Sequence, residues 1–275
     1  MTYATLMVHL EIGRSNGALL QIAGNLAQRF HAGVIGIAAC QPLQIVYGDG
    51  FITGDLIEED RNEMARELQK AEADFRSALE ARAASIEWRS TVLLAALSDY
   101  LAREARGADL VITGVASGNV LDAPRAANTS DLVMQVGRPV LIVPGSTDNV
   151  ELNRVVVGWK DTRETRRAVY DALPVLKMAT HVAVVEICDE EDLAPARMRL
   201  NDVVAWLGRH GVVAQLFALP SSGTDTAQLY AIAEEQNADV IVAGAYGHSR
   251  LREWVLGGVT RDLLLNARRC SFVSH

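Results

Sequence analysis

Asp239-Val-Ile-Val-Ala-Gly244-Ala-Tyr-Gly247-His-Ser-Arg-Leu-Arg-Glu-Trp-Val-Leu-Gly257-Gly258-Val259-Thr260 runs from an apolar segment, through a polar loop, into Arg261-Asp-Leu-Leu-Leu-Asn266. The opening residues are short and mostly β-branched, the pattern of a strand buried on both faces. The closing residues read as a helix. Glycines therefore sit where a strand ends and again where a helix begins. Such a place offers unblocked backbone N–H groups and the positive end of a helix dipole to an anionic group. The spacing Gly-x2-Gly-x9-Gly is not the Rossmann G-x-G-x-x-G, and no Walker-type G-K-[ST] is present.

Working outward, the same pattern occurs earlier in the chain. Gly107-Ala-Asp-Leu-Val-Ile-Thr-Gly114 parallels Asn237-Ala-Asp-Val-Ile-Val-Ala-Gly244 at an offset of 130 residues. The same offset pairs Tyr100 with Tyr230, Ser130 with Thr260, and Val140-Leu-Ile-Val143 with Cys270-Ser-Phe-Val273. Nearer the starts of the halves, Thr5-Leu-Met-Val8 parallels Val155-Val-Val-Gly158 at an offset of 150. A repeat of this length implies duplication of a whole domain, not a solenoid. Apolar runs near 3–10, 33–40, 86–93, 109–114 and 139–143 alternate with amphipathic segments near 15–30, 56–84, 94–106 and 128–136. The second half repeats this, with strands near 153–159, 181–187, 212–218, 239–244 and 270–274 and helices near 163–178, 191–210, 224–236 and 257–267. Right-handed crossovers then predict α/β architecture: two doubly wound three-layer α/β/α domains, each on a parallel five-stranded sheet. The domains are expected at 1–146 and 152–275, joined by the turn-rich Pro144-Gly-Ser-Thr-Asp-Asn-Val-Glu151. The halves differ most at Ile57 to Arg82. There Met64, Leu68, Ala71, Phe75 and Leu79 form the apolar stripe of one long helix, and its charged face is read as solvated.

Composition narrows the function. The chain has 275 residues, enough for two domains, and 49% of them are hydrophobic, enough for two cores. A net charge of −8 and only 5% aromatic residues argue against a nucleic-acid partner. Cys40, Cys188 and Cys270 lie far apart, with no metal or disulfide spacing. No apolar run approaches a membrane span, and Met1–Leu10 reads as a first strand, not a signal. The expectation is a soluble cytoplasmic protein with no membrane partner.

The repeat, the alternation of strand and helix, and the glycine spacing together resemble a tandem universal stress protein, over essentially the full length. The resemblance implies the adenine nucleotide alpha hydrolase-like fold and ATP, ADP or AMP as ligand, with magnesium as an optional companion. Ligands of such sheets bind beyond the carboxyl ends of strands, where strand order reverses. Carried over by position, Gly244 and Gly247 line a phosphate loop. Gly257, Gly258, Val259 and Thr260 present N–H groups to the phosphates, and Thr260 adds a hydroxyl. Ile187 matches the position whose backbone meets the adenine edge. His248 lies in the loop, where a solvated role is favoured over acid–base chemistry, and Trp254 is read as a packing residue.

Two departures stand out. Lys160 occupies the end of the first strand, where the family carries Asp. It is either a phosphate contact or a solvated charge. Asp161 either takes over the missing role or caps a helix, since Asp161-x-x-Glu164 reads as a capping box. Gly258 stands where the family has Ser or Thr. It keeps the amide and loses a hydroxyl, which weakens a phosphate contact by about 1 kcal/mol if that hydroxyl is used. In the first half, Ser117 and Ala127 replace the glycines equivalent to Gly247 and Gly257, and Pro124 alters the loop. One nucleotide per chain, in the second half, is therefore expected.

No nucleophile elbow, kinase motif set or zinc spacing occurs, so the chain is not expected to be an enzyme beyond slow, incidental ATP hydrolysis. The leading expectation is a nucleotide-responsive stress module or switch. A nucleotide-independent scaffold of the same fold and a slow ATPase are the alternatives. Family members dimerise through their last strands. Here 139–143 and 269–275 are expected to pair antiparallel within one chain as a pseudo-dimer, with further homodimerisation open.

Overall fold

A computed structural model describes residues 2–42, 54–115, 127–145, 147, 151–246 and 258–275. The first half runs β1 (Thr5–His9), α1 (Gly17–Phe30), β2 (Gly33–Cys40), α2 (Gly54–Leu79), β3 (Ile86–Val92), α3 (Leu97–Glu104), β4 (Leu110–Gly114), α4 (Thr129–Gln135) and β5 (Val140–Val143). The second runs β6 (Arg154–Gly158), α5 (Arg163–Asp171), α6 (Leu173–Met178), β7 (His181–Cys188), α7 (Leu193–Arg209), β8 (Gln215–Pro220), α8 (Asp225–Glu235), β9 (Val240–Gly244), α9 (Gly258–Leu265) and β10 (Cys270–Ser274). The apolar runs are strands because they are β-branched and too short for helices of useful length.

Strand order is β3-β2-β1-β4-β5-β10-β9-β6-β7-β8. Within each half every pairing is parallel, as in Val8↔Gly36 and Val157↔Val242. The two five-stranded parallel sheets expected from sequence are present, and they meet edge to edge. β5 and β10 run antiparallel, with Leu141 opposite Phe272 and Val140 opposite Val273. One ten-stranded sheet results. Neither last strand is an edge, which satisfies its N–H and C=O groups.

Helices cover both faces. On one face a single apolar cluster crosses the seam, from Leu26, Phe75 and Leu141 to Phe272, Leu173 and Leu200. On the other, separate clusters form around Leu101 with Leu132 and around Ile241 with Leu263. The first of these also takes in Ala245, Leu264 and Val273 from the second half. α2 buries Met64, Ala71, Phe75 and Leu79 as its stripe required, with Leu68 partly buried. The helix expected at 163–178 is two helices, because Pro174 falls in the first turn of α6. Proline lacks an N–H and is tolerated only there, so the chain breaks at Ala172 and restarts.

Candidate functional site

In each half the first strand lies between the second and the fourth, so strand order reverses between β1 and β4 and between β6 and β9. The crevice beyond the carboxyl ends of β6, β7 and β9 is where an open sheet of this kind takes a ligand. A cavity of about 380 Å³ opens there, within the range of about 300–1,000 Å³ common for small-molecule sites. Lys160, Asp161 and Thr162 wall it after β6, and Glu186, Ile187 and Cys188 after β7. Ser221 and Asp225 close the β8 side, and Asp189, Asp192 and Arg199 the α7 side.

Lys160 Nζ donates to Asp225 Oδ2 at 2.9 Å, so its charge is tied across the rim. Asp161 does not cap α5. Its Oδ1 accepts from Arg166 at 2.9 Å, and the cap is Thr162, whose Oγ1 accepts from the Thr165 N–H at 3.3 Å. Both residue types cap helices. The cap moved one residue because the arginine on the first turn of α5 claims the carboxylate. Ile187 lines the cavity near the end of β7. In a parallel ladder alternate residues bond to alternate neighbours. Val185 O accepts from Trp159 on the β6 side, at 2.7 Å, and Cys188 O from Ser221 on the β8 side, at 2.8 Å. The peptide groups of Ile187 therefore face the β6 side, beyond Gly158 where that strand has ended.

Gly244 ends β9 against the start of α5. A Cβ there would lie 2.4 Å from Thr165 N and 2.6 Å from Glu164 C. Only glycine lets β9 and this helix approach so closely, and that packing accounts for the residue without any ligand. Gly258 opens α9, followed by Val259 and Thr260 in its first turn. As the crossover between two parallel strands, α9 begins at the same carboxyl edge as the cavity. Gly247, His248 and Gly257 lie outside the described residues.

The sequence reading missed Arg199, Asp225 and the pairing of Glu186 with Arg199. Glu186 is 5% exposed, and its Oε1 accepts from Arg199 at 2.5 Å. Its other oxygen, Oε2, is buried without a hydrogen-bond partner, as is Arg199 Nε. A carboxylate inside the apolar run Val182–Ile187 was the available signal, since a buried charge requires a partner. Cys188 is half-buried. Its thiol pKa is raised above the ordinary value, by burial first and then by Glu186 and Asp192.

The equivalent place in the first half differs at the helix start. Asn128 caps α4, its Oδ1 accepting from the N–H of Ser130 at 3.0 Å and of Asp131 at 3.2 Å. Those are the amides that correspond to Thr260 and Arg261. The residue corresponding to Asn128 is Gly258, which has no side chain to do the same. Ser117 and Pro124 lie outside the described residues. Among the described residues no group of three or more His, Cys, Asp or Glu could hold a metal, and no helix is long and apolar enough to cross a membrane.

No protein-family model matches the sequence, and no curated protein matches it. Solved structures do. A universal stress protein from Archaeoglobus fulgidus DSM 4304 superposes with a TM-score of 0.74 at 15% identity, covering 98% of each chain. A protein of unknown function from Pseudomonas aeruginosa PAO1 superposes at 0.60 and 14% identity, covering 99% of this chain and 92% of its own. The chain has the fold of a tandem universal stress protein.

Proposed function

We propose that the chain is a nucleotide-binding module of the universal stress protein kind, holding one adenine nucleotide in its second half and acting as a switch in a stress response. One juxtaposition carries this reading. At a single carboxyl edge the second half gathers an open polar cavity, the peptide groups of Ile187 facing past the end of β6, and a helix that opens on Gly258. The base sits in the cavity against Ile187, with Lys160 and Asp161 on its wall. The phosphates extend toward the first turn of α9, where Gly258, Val259 and Thr260 supply amide donors and the dipole favours negative charge. Magnesium, when present, travels with the phosphates. Electrostatics supports this direction of binding: carboxylates outnumber cations around the cavity, so the charged end of the ligand is held away from it. The capping of α4 by Asn128 supports a single site per chain. The reading is of a binder and not an enzyme.

Equilibrium titration with ATP, ADP and AMP tests it, with one site per chain expected. Alkylation of Cys188 gives a second readout. Cys40 and Cys270 are buried, and burial pushes the Cys270 thiol up to about 12. Thiolate is the reactive form, so Cys188 is the thiol that reacts in the folded protein. Saturating nucleotide should slow its labelling. No binding at millimolar nucleotide, with labelling unchanged, would leave a nucleotide-independent scaffold.

A further inference from the structure

We infer that the outer edge of β3 is a self-association surface, and that its partner is the β3 of a second copy of this chain, paired antiparallel about a two-fold axis at Trp88. The sheet ends at β3 on one side and at β8 on the other, and among the described residues no strand pairs with the outer side of either. Which backbone groups face outward follows from the ladder. In a parallel pair, residues that bond a neighbour alternate with residues that bond away from it. Val34 N–H donates to Ser85 O at 2.8 Å, and Leu93 N–H to Cys40 O at 3.0 Å. Alternate residues from Ser85 to Leu93 therefore serve β2, and the N–H and C=O groups of Ile86, Trp88, Ser90 and Val92 point outward. On β8, Ser221 N–H donates to Cys188 O at 2.8 Å, which turns Leu216, Ala218 and Pro220 outward. Pro220 has no N–H to give, so that edge is blunted. β3 carries no proline. Pairing β3 with the β8 of another copy is head-to-tail and builds rings or fibres, whereas β3 on β3 closes as a dimer.

The charges on β3 choose the register. Glu87 and Arg89 lie on one face, two residues apart, with side chains 57% and 24% exposed. With the axis at Trp88, that residue faces its own copy as a hydrogen-bonded pair. Ile86 then faces Ser90, and Glu87 faces Arg89 on both sides of the axis. With the axis at Glu87 or at Arg89, like charges face each other, which is destabilising. Two like charges would blunt this edge; one of each sign at this spacing is self-complementary. Arg89 Nη1 donates to Glu104 Oε2 at 2.7 Å and its Nε to Glu87 Oε1 at 2.8 Å. The tie to Glu104 holds the guanidinium on the strand while Glu87, the more exposed of the pair, is exchanged between copies. Trp88 leaves the axis clear, because its ring packs on Phe75 of α2, with centroids 5.5 Å apart.

Sedimentation velocity on the full chain, over a concentration series, tests this. The unaltered protein should move from the single-chain mass of 29.8 kDa toward twice that value as concentration rises. Glu87→Arg sets arginine opposite arginine, and Arg89→Glu sets glutamate opposite glutamate. Each alone should stay at the single-chain mass. Mixed one to one, the two variants should pair with each other, since each then meets the opposite sign at both crossings. Ser90→Pro removes an outward N–H that β2 does not use, and should also keep the chain single. It carries the test if a charge variant fails to fold, with thermal midpoints reporting folding. A single-chain mass for the unaltered protein at every concentration overturns the inference. So does a dimer that survives in folded E87R and S90P, because the contact then lies elsewhere. A mixture of folded E87R and R89E that stays apart overturns it as well.

Discussion

The duplicated tripeptides Gly107-Ala-Asp109 and Asn237-Ala-Asp239 have a physical reason in the carboxylates. Asp109 Oδ2 accepts from the N–H groups of Ala4 and Thr5, at 2.8 and 3.0 Å. Asp239 Oδ2 accepts from Asn153 and Arg154, at 2.9 and 2.8 Å. Each ties the start of the fourth strand of its half to the start of the first, satisfying amides that no other strand reaches. The sequence displayed the repeat but not this use, because the partners lie about a hundred or more positions away in one case and almost as many in the other. The pairing of Glu186 was illegible in the same way: the chain shows an acid in an apolar strand, and Arg199, on α7, shows only as one of several arginines. His9 carries a prediction at this scale. It is fully buried on β1, with Nδ1 3.0 Å from Thr113 Oγ1, and burial lowers its pKa from 6.5 to about 4. Between those values the unfolded chain binds a proton that the folded chain does not. Stability therefore falls as pH drops from 6.5 toward 4, by an amount approaching 3 kcal/mol on the order of the shift. Urea melts across that window should show a shallower acid loss in His9→Asn than in the unaltered protein. Parallel pH profiles would remove His9 from the account.

Among elements, the starts of helices decide how the halves differ. α4 and α9 occupy equivalent places, one capped by the Asn128 side chain and the other opening on Gly258. Gly258→Asn should transplant the capped state into the second half. Nucleotide titration is then expected to lose affinity, while the ligand-free midpoint holds or rises, since an Asn cap adds roughly a few tenths of a kcal/mol over Gly. Unchanged affinity would show that the first turn of α9 takes no part in binding. The glycine spacing made this region legible as a strand–loop–helix. It did not show the packing reason for Gly244, where a Cβ would meet Thr165 and Glu164. The cap of α5 was misread by one position, because sequence offers two adjacent cap residues and only the structure shows Arg166 taking Asp161. The break before α6 was legible in principle, as Pro174 stands in the middle of the expected helix.

At the scale of the whole molecule the seam between β5 and β10 makes two domains one sheet. The apolar cluster of one face runs through it, and Leu141 and Phe272 at its centre are fully buried. Tyr3 Oη donates to Asp171 O at 2.6 Å, and Arg29 to Glu151 O at 2.7 Å, so the halves are also stitched beside the sheet. Residues 1–146 and 152–275 produced together as separate chains should therefore co-purify as a one-to-one complex. Each alone exposes an apolar strand edge and should self-associate. Two independent, well-behaved monomers on a sizing column would contradict the shared core. Alternation of strands and helices and the duplication were readable, because a buried parallel sheet leaves near-continuous apolar runs.

The hand of the seam has a geometric result. Strands of the two halves point in opposite directions, so their carboxyl tips emerge at opposite poles of the slab. At one pole the helix opens on Gly258, and at the other the helix amides are stoppered by asparagine. The two ends face away from each other, so a molecule bound at one leaves the other uncovered.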